Sequence, residues 1–226
     1  MFPALSSMSA ADADPLPFDG RNPAMKITSR AQLREHYAEA KGRAARKTIG
    51  RLDRHCRSFI GLSPFVLLST AAADGRGDVT PRGDAPGFVA VLDDHRLAIP
   101  DRPGNNRLDS LENILENPEV GLLFMIPGFM ETLRINGTAE IRTDEELRAR
   151  FAVNGRPPAS VLVVTVREAF MHCAKSIMRS RLWETDAQAD RSLMPTIGQI
   201  VSDQIGDPRP EETQEQVIES YRPGLY

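Results

Sequence analysis

The sequence predicts a mainly β protein, a six-stranded antiparallel β-barrel with peripheral helices at both ends. Three observations carry that prediction. Between residues 64 and 166, short apolar or alternating runs are separated by Gly/Pro/Asp turn signals. A single amphipathic helix interrupts them, so strands and helices do not alternate as a doubly wound parallel sheet requires. Apolar residues make up 41% of the 226, enough to give one domain of moderate size a core.

Residues 1–25, rich in Ala, Ser, Asp and Pro, read as a mobile arm. Thr28 or Ser29 is a fair N-cap for a helix running through Leu33 and Tyr37 towards Ala45. A second helical segment, 49–60, puts Leu52, Cys56, Phe59 and Ile60 on one side. Residues 26–60 are therefore expected to be helical, ahead of a barrel at 61–185.

In the barrel, 65–71 is an apolar run that fits a buried strand, and Asp74-Gly75-Arg76-Gly77 is a turn. The run 79–84 reads as a broken strand, because Pro81 has no N–H for a ladder and suits an edge or a bulge. Runs 88–92 and 97–99 flank Asp93-Asp94 in a hairpin pattern. Run 120–126 is another buried strand, closed by Pro127-Gly128. Between 132 and 141, Leu133, Ile135, Ala139 and Ile141 face one way, and Thr132, Arg134, Asn136, Thr138 and Glu140 the other. A short helix, 144–151, leads to a last strand, 160–166. Residues 186–226 turn polar and form a C-terminal tail with helices near 193–203 and 211–221.

Charge excludes some functions. With 28 basic against 31 acidic residues, a net charge of −3 and no basic stripe, a nucleic-acid partner is not expected. No apolar run is long enough to cross a bilayer, and the first twenty residues lack the pattern of a secretory signal, so the expected setting is cytoplasmic and off the membrane. His55-Cys56 and His172-Cys173 match no zinc spacing, so no metal is expected.

The stretch 96–111 has the strongest chemical signal. A short strand ends in Pro103-Gly104, and Leu108, Leu111, Ile114 and Leu115 then recur at helical spacing until Asn117-Pro118. Asn106 suits the N-cap, with Asp109 three residues on as its capping-box partner. Arg102, Asn105 and Arg107 crowd the turn, and free N–H groups at a helix start favour an anion, a phosphate above all.

Five motifs then occur in order: 78–84 (DVTPRGD), 100–110 (PDRPGNNRLDS), 117–124 (NPEVGLLF), 131–137 (ETLRING), and His172-Cys-Ala-Lys175 followed by Arg179-Ser-Arg-Leu-Trp183. Together they resemble the pyridoxamine 5'-phosphate oxidase-like flavoproteins, the FMN-binding split-barrel family. The resemblance implies a split barrel, non-covalent FMN and a homodimer with FMN at its interface. It implies that Thr80 and Arg82 meet the FMN phosphate from one side, and Asn105, Asn106 and Arg107 from the other. Pro100, Asp101 and Arg102 would run beside the flavin ring. Thr132 stands where relatives present a Gln towards the flavin. Lys175, Arg179 and Trp183 resemble the part contributed by the partner chain. The implied activity is an oxidoreductase working through flavin N5 on a small substrate, with NAD(P)H as a possible donor. The same scaffold in relatives also hosts haem degradation and deazaflavin-dependent reduction, so the alternative the resemblance implies is a non-catalytic flavin or haem binding protein, or a deazaflavin-dependent reductase. The Arg, His and Tyr set that grips the substrate phosphate in true pyridoxamine 5'-phosphate oxidases is not found in this sequence.

Overall fold

A computed structural model of the chain describes residues 26–208, 210 and 212–226. The arm expected at 1–25 lies outside them. The described residues fall into two units: 26–47 with 189–194, and 48–188 with those from 195 onward.

In the first unit, α1 (Arg30–His36) starts at Ser29, whose hydroxyl accepts the Gln32 N–H. The single helix expected from 28 towards 45 is two short ones, since Tyr37 caps α1 in extended backbone and α2 (Arg43–Arg46) follows Gly42 at φ 61°. Neither buries a residue, so no packed face holds a longer helix together.

The second unit carries the sheet. Its elements are α3 (Arg54–Leu62), β1 (Phe65–Ala71), β2 (Gly77–Gly83), β3 (Ala90–Val91), β4 (Arg96–Pro100), α4 (Asp109–Glu116), β5 (Glu119–Met125), β6 (Thr132–Arg142), α5 (Glu145–Ala149), β7 (Val161–His172), α6 (Lys175–Ser180), α7 (Ile197–Ile205) and α8 (Gln214–Tyr221). The strands form one antiparallel sheet in the order β2-β1-β5-β6-β7-β4-β3. Among the described residues seven strands stand where six are expected, and no backbone ladder joins β2 to β3, so the barrel is split rather than closed. Pro81 does not break its strand. β2 pairs with β1 along its whole length, and its place at the sheet edge tolerates the missing N–H.

Alternation puts Val66, Leu68, Leu122, Phe124, Leu133, Ile135, Leu97, Ile99, Leu162 and Val164 on one face, where they make the main core with α3 and α4. Each such side chain contributes about 1.5–3 kcal/mol by leaving water. α3 begins at Arg54 with Asp53 as its N-cap, not at Ile49. The Asp53 carboxylate accepts the His55 and Cys56 N–H groups, whereas Ile49 forms an isolated bridge to Ala169. Leu52, Cys56, Phe59 and Ile60 are buried, the face the spacing predicts. β4 and β7 are covered on both sides, since Ala98, Val161 and Val163 join Phe151 in a second small cluster.

β7 is six residues longer at its far end than the predicted strand. The ladder shifts register between Asn136 and Gly137, which pair with Glu168 and Val166, leaving Arg167 as an extra residue on β7. Buried positions step from Val164 and Val166 to Ala169, so the two-residue period slips at the end of the predicted strand.

Candidate functional site

On β2 every second side chain is half-buried, so Asp78, Thr80 and Arg82 share one face, and Asp84 continues it past the strand. That face meets residues 101–110. The Ser110 hydroxyl donates to Asp78 at 2.9 Å. Arg82 Nη1 donates to Asp101 Oδ1 at 2.5 Å. Arg102 Nε donates to Asp84 Oδ2 at 2.7 Å. Crossed ion pairs thus tie the open edge β2 to the end of β4, where no strand ladder does.

The segment carrying Asp101 and Arg102 is fixed by β4. Pro100 pairs with Val161, and the Asp101 N–H donates to Ser160 O at 3.0 Å. Beyond it the expected helix start is corrected. α4 begins at Asp109 with Leu108 as N-cap and no side-chain cap, while Asn106 sits in left-handed backbone at φ 57°. The Asn105 side chain accepts the Arg107 N–H at 3.0 Å, closing a local turn that replaces the predicted cap. The first turn of α4 holds Asp109 and Glu112, so acidic side chains already stand at the dipole's positive end. Arg107 is exposed and pairs with Asp109 at 2.9 Å.

The two crossed pairs are unequal. Asp84 also accepts the Ala85 N–H and the Tyr226 hydroxyl, and Arg102 also donates to Phe151 O at 2.7 Å. The Arg102 guanidinium lies 5.8 Å from the Tyr226 ring centroid. Burial alone would raise the Asp84 carboxyl. The bonds from Tyr226, Ala85 and Arg102 outweigh it and hold the group below its ordinary 3.8. A depressed carboxyl contributes stability above that pH, and the contribution is lost as the pH falls below it. Arg82, in contrast, has one carboxylate contact, and its Nε is buried with no hydrogen-bond partner.

The other predicted site residues lie elsewhere. Thr132 is buried at the start of β6, opposite His172. β6 stands three strands from β2, about 14 Å at ordinary strand spacing. Lys175 and Arg179 are exposed four residues apart on α6, hence on one side of it. Trp183 Nε1 donates to Phe129 O at 2.7 Å, which anchors the segment after α6 to the β5–β6 turn. Within one chain the twelve residues therefore form two groups.

Sequence reasoning missed the roles of Asp78, Ser110 and Tyr226. Polar residues at every second position from 78 to 84 were a readable sign of one shared polar face. Tyr226, 142 residues from Asp84, carried no local signal.

Cys56 is no nucleophile, because burial first and the Asp53 carboxylate second push its thiol up to about 11. Among the described residues no three His, Cys, Asp or Glu gather as a metal site, and no helix is long and apolar enough to cross a membrane. Two shallow clefts, about 290 and 250 Å³, lie on the side of the second cluster. Only the smaller, floored by Phe88 and Phe151, touches the crossed pairs, at Arg102.

An open antiparallel barrel whose edge is laced by charge to the end of β4 is a split barrel, mainly β with peripheral helices. The family model for pyridoxamine 5'-phosphate oxidase matches residues 52–173, and the chain belongs to that family. No curated protein matches it. Among solved structures it is similar to HupZ from Group A Streptococcus, with 20% identity, 53% of this chain and 92% of that one covered, and a TM-score of 0.44. It is also similar to general stress protein 26 from Bacillus anthracis (18%, 52% and 93% covered, TM-score 0.39) and to an F420 reductase (22%, 51% and 94%, TM-score 0.36).

Proposed function

We propose that this protein is an FMN-dependent oxidoreductase that acts on a small substrate as a cytoplasmic homodimer. The observation that carries the reading is the face of β2. It gathers the Thr80 hydroxyl and the Arg82 guanidinium, with a buried Nε that has no partner, in a chain of this family. Those donors fit a phosphate monoester, which gains charge-assisted hydrogen bonds of about 1.5–3 kcal/mol each. Arg107, exposed on the neighbouring turn, is free to swing towards the same anion. Arg102 is a structural brace in this reading, since Asp84 and Phe151 O already hold it.

A second copy would bring the other group of residues to the site. Phe65, Leu67, Leu123 and Met125 alternate with core residues and share the opposite face of the sheet, and Val79, 61% exposed, and Pro81 extend it on β2. An apolar sheet face left half-buried among the described residues favours a partner copy. Lys175 and Arg179 from that copy would set positive charge beside the flavin ring, which favours an anionic reduced form. Trp183 would stay a packing residue.

FMN supplies the redox chemistry, and the chain supplies binding, orientation and electrostatics. The protein loaded with FMN is therefore expected to lose its visible flavin band on anaerobic addition of NADH or NADPH. An unchanged band with both would remove the nicotinamides as donors.

A further inference from the structure

The charge balance at the candidate phosphate site is unusual for a site that takes a dianion. Around the β2 face, Arg82 and Arg102 stand against Asp78, Asp84 and Asp101, and the nearby Arg107 is matched by Asp109. A phosphate entering this face meets no excess positive charge unless a carboxylate leaves.

The structure distinguishes which carboxylate can leave. Asp84 accepts from Arg102, the Ala85 N–H and Tyr226, and its side chain is only 6% exposed. Its partner Arg102 has a second acceptor in Phe151 O. That pair is held by three partners outside itself, the Ala85 N–H, the Tyr226 hydroxyl and Phe151 O. Asp101 accepts one bond, from Arg82 Nη1, and its side chain is 18% exposed. Arg82 keeps a buried Nε with no partner, so a tetrahedral anion that takes its guanidinium satisfies more donors than the carboxylate does.

We propose that Asp101 is a specificity-determining residue that occupies Arg82 in place of the ligand phosphate. Anion binding exchanges the Asp101 carboxylate for a phosphate oxygen on Arg82, while the Asp84–Arg102 pair stays fixed. Asp101 thereby sets the affinity of the site and rejects weakly bound monoanions, which gain too little to displace a carboxylate. The inference rests on the phosphate reading of the β2 face proposed above.

The test compares FMN and inorganic phosphate binding to the full chain and to Asp101→Asn by calorimetry. Asparagine keeps an acceptor for Arg82 but removes the competing charge, so FMN is expected to bind about tenfold more tightly to the variant. The same change at Asp84 is expected to bring no gain. Equal or weaker FMN binding by Asp101→Asn, with binding by the unaltered chain intact, overturns the role of Asp101 and leaves the flavin reading standing. Binding of neither ligand to either protein overturns both. Where Asp101→Asn fails to fold, the unaltered protein serves, with arginine Nε–H resonances followed during titration with inorganic phosphate. The Arg82 signal is expected to move and the Arg102 signal to stay. Movement of Arg102 alone overturns the proposal.

Discussion

Gly137→Ala is expected to destabilise the protein by about 3–5 kcal/mol, the largest effect of any single methyl group in the sheet. A Cβ at Gly137 would lie 2.0 Å from Thr165 O and 2.9 Å from Thr165 C, both backbone atoms. No rotamer change relieves such a clash, so the β6–β7 ladder must separate at its register shift. That ladder is the centre of the sheet, and β4 hangs from the same strand β7. Displacing it also moves the Asp101–Ser160 bond on which the site depends. A thermal melt should show a midpoint lower by on the order of 10 °C. Gly77→Ala is the control, since nothing lies within 4 Å of its Cβ. Equal midpoints for the two variants would show that the close approach at Gly137 is wrongly placed.

The second large effect is at Arg82. Arg82→Ala is expected to cost about 2–4 kcal/mol, because it strands the largely buried Asp101 carboxylate without its partner. It is also expected to abolish measurable FMN retention. The two losses can be separated. In Arg82→Ala/Asp101→Ala no charge is stranded, so most of the stability should return while flavin retention stays lost. Flavin titration beside a chemical melt of each variant checks both. A double variant that recovers stability and still holds FMN would remove Arg82 from the phosphate site.

Much of this architecture was legible in the sequence because apolar alternation is local. Residues 65–71 and 120–126 reveal their strands as short apolar runs, and 132–141 through two-residue periodicity. β7 did not, because the extra residue Arg167 shifts the phase between Val166 and Ala169 and imitates a strand end. Helix starts were misread for a related reason. Asn106 is an able N-cap by type, yet Asn105 closes a turn on Arg107 first, and the helix waits for Asp109. The N-terminal helix was overextended because good formers between 37 and 45 bury nothing in the first unit.

At the site, the residue types were legible but their pairings were not. The sequence displays four arginines and aspartates at 82, 84, 101 and 102 without saying which side chains neutralise which. Only the approach of β2 to the end of β4 fixes the crossed pattern, in which Arg102 donates to Asp84 and to Phe151 O. Tyr226 closes that brace from the far end of the sequence, beyond the reach of any local pattern.

The central claim is that the face of β2 holds the phosphate of FMN. The most direct measurement is the visible spectrum of the purified protein, followed by denaturation and identification of any released chromophore. Stoichiometric FMN, taken up again when added back to the stripped protein and lost in Arg82→Ala/Asp101→Ala, is the result expected. A colourless protein that rejects added FMN, or one that releases haem or a deazaflavin instead, would contradict the account.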